Sequence, residues 1–102
     1  DAVLEPGMIL SDEPGFYPAG QYGIRLENLL VCAERTENEY GRFLGFDVLT
    51  LVPFDRDAID PSLLSRREKD RLNAYHAAVY DTISPYLKDE ERTWLAEATA
   101  NL

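Results

Sequence analysis

The chain has one cysteine, one tryptophan, one histidine and nearly twice as many acids as bases, 19 against 10. The lone Cys32 excludes an internal disulfide, and its apolar surroundings predict a buried, inert thiol. The shortage of bases, leaving a net charge of −9, argues against a protein that tracks nucleic-acid phosphates or rests on an anionic membrane. No apolar run approaches the roughly 20 residues that span a bilayer. A signal-peptide pattern, an internal repeat and a low-complexity tract are all missing. The start at Asp1, without an initiator methionine, is expected of a piece of something longer.

What is present is apolar content enough for a core, 45%, with 11% aromatics, in a length of one domain or part of one. The acids gather early: residues 1–60 hold twelve against four bases, and residues 61–102 seven against six. Asp1 to Leu4 read as extended and Glu5-Pro6-Gly7 as a turn. Strands are predicted over Met8–Glu13, Gly23–Ala33 and Phe43–Val52, with short connections that favour an antiparallel meander. The mostly apolar middle strand suits a central position covered on both faces. Pro53 to Pro61 is an irregular linker. Leu72, Tyr75, Val79 and Ile83, with His76 and Tyr80 alongside, then recur on one helical face. Ser65 and Glu68 have capping-box spacing, Pro85 ends that helix, and Asp89 is placed to cap a second with a stripe of Trp94, Leu95, Ala98 and Leu102. His76 falls on the packed face and is expected to serve packing or hydrogen bonding.

The chemistry concentrates in Ser11 to Asn28, where a turn-rich connection separates Glu13 from Glu27. Alternation along a strand puts Arg25 and Glu27 on one face. If the flanking strands pair, the two carboxylates approach with only Arg25 to offset them. Residue types alone leave two readings open: a divalent-cation site, or a surface turn at Glu13 with a plain Arg25–Glu27 ion pair.

Asp12-Glu13-Pro14-Gly15-Phe16-Tyr17, followed by Gly23-Ile24-Arg25-Leu26-Glu27-Asn28, resembles the last two metal-binding motifs of the pita-bread metallopeptidases. The similarity is closest to the Xaa-Pro aminopeptidases. It continues through Leu49 to Asp55, Leu63-Leu64, Leu72 to His76, and Trp94-Leu95 with Ala98-Thr99, nearly the whole chain. The resemblance implies an α+β fold: the C-terminal part of a pita-bread fold, an antiparallel meander followed by two helices. Residues 1–53 would be the C-terminal portion of the catalytic domain, and residues 54–102 a linker and helical C-terminal extension. Glu13 and Glu27 would ligate two divalent metal ions, manganese first and zinc or cobalt next. Glu13 matches the family's general base, and Arg25 would support the ligands. The implied substrate is a peptide with proline at its second position, and the implied compartment the cytoplasm. The family's two aspartates and ligand histidine have no counterpart here, since Asp1, Asp12 and His76 fall outside those motifs. The resemblance therefore implies a fragment inactive alone, completed by the rest of the catalytic domain. Homodimerisation, frequent in the family, stays open. Alternatives are a homologue without metal catalysis (a creatinase-like hydrolase, or a peptide- or histone-binding module) and an association role for residues 61–102.

Overall fold

The computed structural model describes residues 2–102, so the extension expected at Asp1 lies outside the described residues. The chain divides into two compact units, residues 1–50 and 51–102.

The first unit is all strand. β1 (Ile9–Asp12), β2 (Gly15–Phe16), β3 (Ile24–Arg25), β4 (Asn28–Asn38) and β5 (Gly41–Val48) follow in order. They form a three-stranded sheet, β1-β4-β5, and a two-stranded ribbon, β2-β3, both antiparallel. The predicted meander is therefore present, with different boundaries. The strand expected over Gly23–Ala33 is interrupted at Leu26 and Glu27. Pro14 explains the break: facing Leu26, it accepts the Leu26 N–H at 3.0 Å but has no N–H to return. The strand expected to reach Val52 stops at Val48 because its partner changes acceptors. Leu49 N–H still donates to the Leu29 carbonyl at 2.8 Å, but the Leu29 N–H turns to the Thr50 hydroxyl at 2.8 Å.

β4 and β5 turn on Glu39-Tyr40, with the Asn38 side chain accepting the Tyr40 N–H and Gly41 at φ +131° closing the register. A bulge near Arg35 lets its guanidinium reach back across Gly45 to the Asp47 carboxylate (2.6 Å) and the Phe46 carbonyl (2.9 Å). β4 is central, as its composition requires, yet only Cys32 on it is buried. The expected cover on both faces is absent because this unit contains strands alone and so has no second layer of its own. Ile9, Leu29, Phe43, Phe46 and Val48 are correspondingly exposed.

The second unit is helical. Short 3₁₀ turns at Arg56–Ala58 and Pro61–Leu63 are capped by Asp55 and Asp60, whose carboxylates accept the N–H groups two residues on. α1 (Arg66–Ile83) begins in the predicted capping box. Ser65 Oγ accepts the Glu68 N–H (3.3 Å) and Glu68 Oε2 accepts the Ser65 N–H (2.7 Å). The Ser65 hydroxyl first, and then the Ser65 N–H, hold the Glu68 carboxyl below the usual carboxylate range. Replacing Ser65 by alanine is expected to destabilise this unit by about 1 kcal/mol, measurable by chemical denaturation, with little change in the denaturant slope.

His76 and Val79 are buried on α1, with Leu72, Tyr75, Tyr80 and Ile83 half-buried, as the periodicity predicts. A 3₁₀ turn over Ser84–Tyr86 follows at Pro85. α2 (Asp89–Ala98) starts one residue earlier than a cap at Asp89 would allow. The extended residue is Lys88, whose N–H the Glu91 carboxylate accepts at 2.8 Å, so Asp89 is the first helical residue and pairs with Arg92 instead. Leu95 is buried and Ala98 and Leu102 are half-buried, but Trp94 is 61% exposed and lies outside the core expected for it.

Candidate metal-ligand pair and its relatives

The carboxylate pair is built by one register running through two ladders. β1 and β4 end on Asp12 opposite Asn28, and β2 and β3 begin with Gly15 opposite Arg25. Both ladders have the same offset, so the intervening residues face each other as Glu13 with Glu27 and Pro14 with Leu26. The Leu26–Pro14 backbone bond carries the pairing across the gap. Glu13 and Glu27 thus sit at facing positions of a continuous antiparallel ribbon, where Cβ atoms are about 4.5–5.5 Å apart.

Arg25 is the adjoining cation. Its Nη1 lies 3.4 Å from Glu27 Oε2, the same-face contact that strand alternation predicts, and its Nε donates to the Tyr17 hydroxyl at 3.1 Å. The Tyr17 hydroxyl, then Glu27, then the charge of Glu13 hold the guanidinium more firmly protonated than usual. The Arg25 and Glu27 side chains are 50% and 39% exposed, so solvent screening leaves the ion pair by itself little weight in stability.

The Tyr17 contact escapes a reading of sequence alone. Its ring crosses the ribbon over two glycines: a Cβ on Gly15 would overlap the phenol, and one on Gly23 would stand 2.9 Å from the ring. The signal available was the pair of glycines on either side of the connection, Gly15 on β2 and Gly23 just before β3, which both leave room for Tyr17. Tyr22, in the same connection, packs against Phe16.

The donor set has the chemistry of a hard or borderline divalent cation: two carboxylates on facing positions, with a single arginine to offset them. They fit such an ion as part of a site. Among the described residues no group of three or more His, Cys, Asp or Glu side chains is arranged to hold a metal. His76 lies in the second unit, is fully buried, and accepts the Phe54 N–H at 3.0 Å through Nε2.

Two family models match the chain. The model for the C-terminal region of peptidase M24 covers residues 42–102, and that of metallopeptidase family M24 covers residues 1–34. The chain belongs to metallopeptidase family M24. Within it, the chain is 44% identical to a probable Xaa-Pro aminopeptidase P of Fusarium vanettenii, over 100% of this chain and 17% of that protein. It is 47% identical to an uncharacterized peptidase of Schizosaccharomyces pombe, over 97% of this chain and 17% of that protein. The crystal structure of X-prolyl aminopeptidase from Caenorhabditis elegans, described as a cytosolic enzyme with a dinuclear active site, superposes with a TM-score of 0.82 at 39% identity. It is matched over 97% of this chain and 17% of that one, which identifies the fold as the C-terminal part of a pita-bread fold. The chain thus spans about one-sixth of the length of the relatives it matches.

Proposed function

We propose that this chain contributes two ligands, Glu13 and Glu27, and the supporting Arg25 to a binuclear-metal aminopeptidase that removes an N-terminal residue preceding proline. The observation that carries the reading is the continuous register facing Glu13 with Glu27, with Arg25 on Glu27. The names of the relatives support the reaction class. In this reading residues 1–53 complete the catalytic domain and residues 54–102 are its linker and helical extension. Manganese is the first choice of metal, zinc or cobalt the next, and the compartment is the cytoplasm, as for the nematode enzyme.

When bound, the two cations supply Lewis acidity and lower the pKa of water. The chain's own groups do the rest. Glu27 would be a ligand to the ions and offset their charge. Glu13, facing it, takes the proton of the attacking water. Arg25 holds Glu27 in place, and Tyr17 holds Arg25. A peptide with proline second is the substrate.

The 102-residue chain alone is expected to show no turnover of Xaa-Pro peptides with any of the three metals, while the longer polypeptide that carries it is active with two metals per chain. Robust hydrolysis by the isolated chain, or a metal-free active polypeptide, would overturn the reading. Gly15→Ala in that polypeptide is expected to lower activity about 10-fold, because the added methyl displaces Tyr17 from Arg25. Tyr17→Phe should lose a similar factor, and unchanged kinetics in both would remove Tyr17 from the account.

A further inference from the structure

Trp94 is the largest side chain of α2 and stands 61% exposed. Two hollows flank it within the helical unit. One, of about 570 Å³, is lined by apolar Val52, Phe54 and Ala98 and by Asp55, Arg56, Asp57 and Glu97. The other, of about 440 Å³, lies between the indole, Leu87, Glu90 and Glu91. Five carboxylates therefore line the hollows beside one exposed indole, and none takes part in an ion pair among the described residues; Asp55 and Glu91 already accept the Asp57 and Lys88 N–H groups, which leaves Asp57, Glu90 and Glu97. The nearby cations are turned to other work. Arg56 donates to the carbonyls of Glu97 and Asn101, both at 3.1 Å, and Arg92 to those of Ser84 and Leu87 while pairing with Asp89.

An aromatic face bordered by unpaired carboxylates selects a ligand that is apolar along its stem and cationic at its tip. We propose that the Trp94 face is a docking site for a basic segment of a separate protein, which lays a lysine or arginine stem along the indole and sets its charge among Asp57, Glu90 and Glu97. The net charge of −9 favours encounter with such a partner and opposes a second copy of this chain.

Trp94 is the only tryptophan, so its emission reports the face directly. The probe is a twelve-residue peptide alternating lysine and leucine, titrated into the 102-residue chain. A saturable blue shift is expected, weakening at least about tenfold between low and moderate salt. Glu90→Lys/Glu97→Lys, with an unchanged melting curve, should weaken it at least about tenfold more. Equal binding of the glutamate-for-lysine peptide would show apolar adhesion alone and overturn the proposal. So would an emission shift with chain concentration in the absence of peptide, which assigns the face to a second copy. Calorimetry on the longer polypeptide gives the last arm: no heat with the lysine peptide there would mean that the face is covered internally.

Discussion

Changing Glu27 to alanine in the longer polypeptide is expected to lower kcat/KM on an Xaa-Pro peptide by roughly 10³-fold or more, with loss of bound metal. A factor of 10³ corresponds to about 4 kcal/mol of transition-state stabilisation, the scale expected when the metals lose a carboxylate that holds them. Arg25→Gln, which removes the guanidinium but neither carboxylate, should fall in the milder range of about 10–100-fold. Stability should not follow activity. Facing carboxylates without a cation oppose each other by about 0.2–1 kcal/mol, and the half-exposed Arg25–Glu27 pair offers a comparable gain. The two nearly cancel, so Glu27→Ala in the metal-free state should leave unfolding free energy within about 0.5 kcal/mol. Full activity in Glu27→Ala, or an apo state destabilised by several kcal/mol, would turn Glu27 back into an ordinary structural ion pair.

Acidification from pH 7.5 to 5.5 is expected to lower the stability of the helical unit, and His76 is the cause. Its ring is fully buried beside Phe54 and Tyr75, and Nε2 accepts the Phe54 N–H, so the neutral ring carries its proton on Nδ1, which has no partner. Protonating Nε2 would set two N–H donors against each other in a dry site. Burial first, and then the charge of Arg56, push the His76 pKa below its ordinary value near 6.5. The sign follows from proton counting. The native state binds this proton less readily than the unfolded chain does. Stability is therefore full above about pH 6.5 and falls below it until the depressed native pKa is reached.

The slope is at most about 1.4 kcal/mol per pH unit, or several degrees in Tm for a unit of this size. No other histidine exists in the chain, and ordinary carboxylates titrate lower, so the window belongs to His76. His76→Gln should start less stable and lose most of the slope between pH 6.5 and 5.5. A wild-type Tm independent of pH across that window would refute the assignment.

What could be read in advance divides along the range of the forces involved. The capping box at Ser65 and Glu68, the packed face of α1 and the stop at Pro85 are decided within four residues of chain, and the sequence determined them. It also determined that Arg25 and Glu27 share a face, since alternation is a property of the strand itself. The facing of Glu13 with Glu27 followed once the flanking strands paired. The break opposite Pro14 could have been drawn from the missing N–H, but only with the register in hand.

The start of α2 is local as well, since Glu91 reaches back three residues to the Lys88 N–H and so places Lys88 rather than Asp89 before the helix. Tertiary structure alone decided the remainder. Tyr17 meets Arg25 because Gly15 on β2 and Gly23 just before β3 leave room for its ring. β4 is apolar and central yet largely uncovered, and Trp94 sits on an apolar stripe yet faces outward. Apolar spacing states which residues gain from burial. Whether they are buried depends on a covering layer, and in the strand unit none is present.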